Sequence, residues 1–171
     1  VLDVHKKLKD AQHLAKMGRW SLALSSNTLE WSDETFRLFA LDKTQFTASY
    51  DAFLQVIHPD DRDRVDQAYT ESLKNRHPYE ISHRLRLADG RIKHGHESCE
   101  TLYDEQGSPV LSRGTIQDIT RRKLSEDTIN LYANVFRHSA EAILITDHNN
   151  HIIATNPALT ALTGYTQDEL L

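Results

Sequence analysis

The chain has 171 residues, 39% of them hydrophobic, enough for one domain with a real core and further elements beside it. A formal charge of −5, from 25 acids against 20 Lys and Arg, argues against nucleic acid or anionic lipid as the main partner, because phosphate recognition needs concentrated cations. A single cysteine, Cys99, excludes an intramolecular disulfide and suits a reducing cytoplasm, and no apolar run approaches the roughly 18–20 residues that span a bilayer. The chain starts without Met and stops inside a patterned segment, as expected of a piece of a longer protein.

Residues 1–17 are predicted to form an amphipathic helix. Val1, Val4, Leu8, Ala11 and Ala15 recur at steps of three and four, and Gly18 ends the run. Residues 18–120 are read as the main domain. Two strand-like runs, 19–25 and 28–31, flank Ser26-Asn27. Ser32-Asp33-Glu34 is a helix start, with a hydroxyl cap and acids in the first turn. His58-Pro59-Asp60-Asp61 starts another helix, whose buried stripe is Val65, Ala68, Tyr69, Ser72 and Leu73.

Three strands are predicted next. Tyr79, Ile81, His83, Leu85 and Leu87 alternate with Glu80, Ser82, Arg84 and Arg86. Asp89-Gly90 is a hairpin turn, and strands over 91–103 and 110–119 follow. Two strands, helices and three strands imply an α+β fold with a five-stranded antiparallel sheet and helices on one face. Residues 121–138 are expected to be an amphipathic connector helix with Leu124, Thr128, Leu131 and Val135 on its stripe. Residues 139–171 repeat the opening strand–turn–strand–helix order: Ala142 falls on Gly18, Asn156 on Ser32 and Leu162 on Leu38. The segment is therefore expected to be the first third of a second copy.

Trp20, Trp31-Ser32-Asp33, His58-Pro59-Asp60-Asp61-Arg62, Tyr79-Glu80, Arg84, Asp89-Gly90, Gly107, Gly114 and Asp118-Ile119-Thr120 occur in one order over about a hundred residues. This ordered set resembles the PAS domain with its PAC half, in the subtype with a Trp-Ser-Asp opening. Residues 132–171 are similar to the connector and opening of a second PAS domain. The chain departs from the subtype at His94, where Trp is usual, and at Ala40, where Gly commonly ends the short helix.

The resemblance implies a bacterial, non-catalytic sensory and dimerisation module. A state change in the sheet would pass through flanking helices to an output domain of the same chain. Wording near the second copy is similar to PAS domains preceding cyclic-di-GMP (GGDEF and EAL) modules, with a histidine kinase as the alternative output. Asp118, Ile119, Thr120 and Gly114 are the implied signal-transfer residues, Asp118 pairing with an Arg or a backbone donor and Thr120 capping the exit helix. Trp20, Trp31, Phe36, Val65, Tyr69, Ile81, His83 and Leu85 are candidate pocket lining. The helical seams at 1–17 and 121–138 predict a parallel homodimer.

No catalytic residue, metal site or cofactor is expected, although a small ligand fits the fold. The flavin-adduct motif Asn-Cys-Arg-Phe-Leu-Gln is missing, and haem needs an axial histidine. His83 is the one histidine on an apolar face, so core packing is the simpler role. His94 and His96 share a strand face but lack a third ligand. An enzyme built on His94, His96 and Glu97 lacks a nucleophile–base set at a recognisable spacing. A haem- or flavin-bound redox or gas sensor remains the alternative on the same fold.

Overall fold

The structure, a computed structural model, describes residues 15–171. The expected N-terminal helix falls outside the described residues except at its end. There Ala15 and Lys16 form a turn and Met17 already opens the first strand.

Strands β1 (Met17–Ala23) and β2 (Thr28–Trp31) form a hairpin and lead into helix α1 (Asp33–Phe39). Ser32 caps α1, its hydroxyl accepting the Thr35 N–H, as the sequence predicts. Helices α2 (Tyr50–Val56) and α3 (Pro59–Asn75) follow. The His58 imidazole caps α3 by accepting the Asp60 N–H, with Pro59 in the first turn where its missing N–H costs nothing. Strands β3 (Tyr79–Arg86), β4 (Ile92–Tyr103) and β5 (Pro109–Asp118) complete the first unit. All pairings are antiparallel, in the order β2-β1-β5-β4-β3. The fold is α+β, as expected.

The core lies between the inner sheet face and the helices. Leu38 and Phe39 of α1, Phe53 of α2, and Val65 and Tyr69 of α3 pack on Leu22, Leu29, Leu85, Cys99 and Ile116 of the sheet. Burying a side chain such as Phe39 contributes about 2–3 kcal/mol. The α3–β3 contact is also ionic. Asp61 accepts the Arg84 backbone N–H at 2.8 Å and the guanidinium at 2.8 and 3.0 Å, so both carboxylate oxygens are used. These bonds hold the Asp61 carboxyl well below the usual carboxylate range.

Helix α4 (Thr120–His138) leaves the end of β5. It buries no residue, and Leu124, Leu131 and Val135 of the predicted stripe are 59–60% exposed. The chain divides into two compact units after Arg121. In the second, β6 (Leu144–Thr146) and β7 (Ile152–Thr155) pair antiparallel, followed by α5 (Pro157–Thr163) and α6 (Gln167–Leu170).

The predicted repeat is visible in the hydrogen bonds. In the first unit the Arg19 N–H donates to the Ser32 hydroxyl and the Ser32 N–H to the Arg19 carbonyl. In the second, the Ile143 N–H donates to Asn156 Oδ1 and the Asn156 N–H to the Ile143 carbonyl. Asn156 then caps α5 as Ser32 caps α1.

Candidate functional site

Two places in the first unit can carry chemistry or motion: an internal cavity and the joint where β5 becomes α4.

The cavity lies between the inner sheet face and the helices. Trp20 and Trp31 come from the β1–β2 hairpin, Phe39 from α1, Tyr50 and Phe53 from α2, Tyr69 from α3 and Tyr79 from β3. Among the described residues, Glu97 of β4 is the one ionisable side chain other than tyrosine in its wall. The cavity's volume is about 20 Å³, room for one water-sized body. Edge-to-face contacts of Trp31 with Phe36 and Phe39, at centroid separations of 5.3 and 4.9 Å, fix the wall on the hairpin side.

Glu97 is 2% exposed, and each of its oxygens has a partner. Oε1 accepts the Tyr79 hydroxyl at 3.2 Å, and Oε2 lies 3.1 Å from His83 Nε2. The other imidazole nitrogen, His83 Nδ1, is buried and has no hydrogen-bond partner among the described residues. Burial pushes the Tyr79 phenol far above its ordinary value, and the neighbouring Glu97 charge adds to this. Burial also pushes the Cys99 thiol up to about 12, with Glu97 contributing, so this cysteine is a packed, unreactive thiol.

Of the candidate lining residues, Trp20, Trp31 and Tyr69 reach the cavity. The other five lie elsewhere, for identifiable reasons. Phe36 packs edge-on against Trp31 and Phe46 and is not part of the cavity wall. Val65 and Leu85 are fully buried away from the cavity wall. Ile81 is only partly buried against the core. His83 sits beside the wall, its ring edge-on to Phe53 and its Nε2 turned to Glu97. The sequence does not point to Tyr50 and Phe53, because residues 41–57 carry no long periodic run. Ser49 and Asp51 were the available signal, a cap followed by an acid.

The haem and flavin alternatives do not fit this cavity. Among the described residues no histidine lines it, and its volume is far below that of either ring system. His94 and His96 do not converge with other ligands: His96 bonds Ser82, and among the described residues no group of three His, Cys, Asp or Glu could hold a metal.

The joint is built by short hydrogen bonds. Asp118 Oδ1 accepts the Thr120 N–H at 2.9 Å. The Thr120 hydroxyl accepts the His94 N–H at 2.9 Å, and the His94 carbonyl accepts the Ile119 N–H at 2.9 Å. Ile119 is buried. The expected cap is therefore reversed. Asp118 takes up the first helical N–H, and Thr120 pins the helix start to β4. Of the two expected partners of Asp118, an Arg or a backbone donor, the structure has the backbone donor, the Thr120 N–H, and the nearby cation is a lysine: Lys93 Nζ stands 3.6 Å from Asp118 Oδ2 and donates to the Leu38 carbonyl near the end of α1. Burial pushes the Asp118 carboxyl up, but the Thr120 hydrogen bonds and the Lys93 charge outweigh it, and the net shift is downward. Gly114 is not at the joint. It lies mid-strand opposite Trp20 and Cys99, and a Cβ there would collide with the Ser98 carbonyl and the Trp20 ring.

The chain also enters where it leaves. Because β1 runs antiparallel to β5, Met17 pairs with Gln117, and the Asp118 N–H donates to the Lys16 carbonyl. The outer sheet face carries a larger open groove of about 910 Å³. Its charges are exposed, and Arg113 and Glu100 pair with each other.

A family model described as PAS fold matches residues 28–116, and a second, described as PAS domain, matches residues 130–171. The probable diguanylate cyclase DgcE of Escherichia coli (strain K12) is 23% identical over 166 residues, 94% of this chain and 15% of that protein. The sensor protein FixL of Bradyrhizobium diazoefficiens is 25% identical over 159 residues, 91% of this chain and 31% of that protein. The chain thus spans less than a third of the length of either relative. A sensory box histidine kinase/response regulator structure from Burkholderia thailandensis E264 superposes with a TM-score of 0.66 at 24% identity, over 78% of this chain and 99% of that one.

Proposed function

The chain belongs to the PAS family, and we propose that it is a non-catalytic sensor and relay module of a larger cytoplasmic signalling protein. In this reading residues 18–120 are the sensing domain, 121–138 the connector and 139–171 the opening of a second sensing domain. The internal cavity is the input site. The joint at Asp118, Ile119 and Thr120 passes its state to α4. The observation that carries this is the joint itself. One hydrogen-bonded knot ties the incoming chain at Lys16, the sheet at His94 and the outgoing helix at Thr120. A shift of β4 or β5 then moves both connectors at once.

The exposed stripe of Leu124, Leu131 and Val135 supports pairing of α4 with its copy in a homodimer. We read the output domain as one for cyclic-di-GMP synthesis or turnover first and a histidine kinase second, a reading supported by the similarity to a probable diguanylate cyclase and to a sensory box histidine kinase. Among the described residues no helix is long and apolar enough to cross a membrane.

The test is Asp118→Ala in the full-length protein. We expect normal folding and an output that no longer follows the stimulus. An unchanged response at unchanged stability removes the joint from the mechanism.

A further inference from the structure

The carbonyls in the last turn of a helix have no partner inside the helix. In α1 two of them are taken up by the chain that follows: the Ala40 N–H donates to the Arg37 carbonyl and the Leu41 N–H to the Phe36 carbonyl. The Leu38 carbonyl is held from the sheet instead. Lys93, near the start of β4, donates to it from Nζ at 2.8 Å. A cation at a helix end is favoured by the dipole as well as by the bond.

Two parts of the domain meet at this ammonium. On one side is the cavity. The Leu38 carbonyl and the Phe39 Cα belong to one planar peptide unit, so they move as one piece. Phe39 is 1% exposed and lines the cavity. Ala40, directly after it, is held at φ 54°, a strained link that persists only while its surroundings fix it. On the other side is the joint. Lys93 Nζ stands 3.6 Å from Asp118 Oδ2, while Asp118 Oδ1 accepts the Thr120 N–H. The next residue along β4, His94, ties down Ile119 and Thr120 through its backbone.

The two distances are unequal. At 2.8 Å the carbonyl has a full charge-assisted hydrogen bond, whereas 3.6 Å is an ion pair without one. The Lys93 and Asp118 side chains are 25% and 14% exposed, so water screens their attraction little. An ammonium on a flexible four-carbon stem can close that gap once its carbonyl withdraws.

Taking the joint as the relay, we infer that Lys93 is the positioning residue that couples the cavity wall to it. With α1 seated, the Leu38 carbonyl holds the ammonium and Asp118 has a loose ion pair. When Phe39 is displaced, the shared peptide unit carries the carbonyl away and the ammonium closes on Asp118 Oδ2, beside the first N–H of α4. The small cavity makes this displacement the natural input. A volume of about 20 Å³ admits nothing larger than a water unless a wall residue moves.

The experiment uses the 171-residue chain and reads the Thr120 amide resonance, which reports its bond to Asp118. Phe39→Leu is the probe that moves the wall. We expect it to shift the Thr120 amide in the wild-type background, and the shift to be at least about threefold smaller in Lys93→Met, which keeps an apolar stem and removes the ammonium. A merely structural lysine would lower stability without changing this difference. No Thr120 shift in the first background, or an equal shift in both, overturns the inference.

A second measurement does not depend on Phe39→Leu folding. With ¹⁵N-labelled lysine, the Lys93 ammonium should give a resolved signal in slow exchange with water, assigned by its loss in Lys93→Met. The signal should persist in Asp118→Ala, because the Leu38 carbonyl still holds it. Its absence from the wild type, or its loss in Asp118→Ala, overturns the inference. The relay is tested separately by the output of full-length Asp118→Ala. An uncoupled output beside a Lys93-independent Thr120 shift keeps the relay and removes the lysine. A normal output beside a Lys93-dependent shift keeps the lysine coupling and removes the relay.

Discussion

Ala40 ends α1 in the left-handed region, at φ 54° and ψ 40°, with its N–H bonded back to Arg37 and Phe36. An L-residue pays about 1–2 kcal/mol there through its Cβ, and glycine pays nothing sterically. Glycine loses more chain entropy on folding, which offsets about 0.5–1 kcal/mol. Ala40→Gly should therefore raise stability by about 0.5–1 kcal/mol in a urea melt, and a loss would show that the Ala40 methyl packs usefully. Arg76 ends α3 in the same conformation, at φ 55°, but offers no such gain. Its guanidinium donates to the Gly107 carbonyl and lies over the Tyr103 ring.

Asp61 gives a pH dependence with a definite sign. Its folded carboxyl titrates below the ordinary value because Arg84 holds the ionised form, with its backbone N–H and guanidinium both donating. The resulting stability is fully present above the unfolded value of about 3.9 and drains away as pH falls toward the folded one. The wild type should lose thermal midpoint steadily below about pH 4–5. Asp61→Asn should be less stable by about 2–3 kcal/mol at pH 7 and show a flatter acid limb. An acid limb identical in both proteins would assign the loss to other carboxylates.

Among the elements, β3 and β4 show what a linear pattern reveals and what it hides. β3 is legible because Tyr79, Ile81, His83 and Leu85 alternate with polar residues, and the burial follows that alternation. β4 reads His-Gly-His-Glu-Ser-Cys-Glu, nearly all polar, so its inner row of Gly95, Glu97 and Cys99 is masked. Glu97 adjoins His94 and His96 in the sequence, yet it faces the opposite side and pairs with His83 on the neighbouring strand. The clue was the inward-facing His83, which needs a polar partner when buried, and Glu97 has the parity of Cys99. The joint was legible as a strand turning into a charged helix. Its lysine was not, because Lys93 reaches Asp118 only through the β4–β5 pairing.

Helix α4 carries the next prediction. Five large apolar residues, Leu124, Ile129, Leu131, Tyr132 and Val135, are exposed on 19 residues of helix. If a copy covers them, Leu131→Asp should convert a dimer to a monomer in sedimentation, with the β1–β5 sheet unchanged by circular dichroism. A wild type that stays monomeric at high concentration would remove the seam from the assembly.

At the scale of the whole chain, the two units share an opening motif but not its completion. In the first, the β1–β2 hairpin is extended by three more strands, and β5 and β4 lie inside the sheet with a partner on each side. In the second, β6 and β7 have only each other among the described residues, and Leu144, Ile145 and Ile153 remain exposed. The local signals are intact there. Asn156 caps α5 and bonds the strand before it, and Gly164 ends that helix at φ 79°. Local capping contributes about 1 kcal/mol, whereas a lone two-stranded ribbon is marginal in water. Native-state hydrogen exchange should therefore separate the units. Backbone amides of β4 and β5 should exchange only on global unfolding, and those of β6 and β7 at least about 100-fold faster through local opening. Equal protection would mean that the second unit draws its stability from contacts outside its own elements, and that the two unfold together.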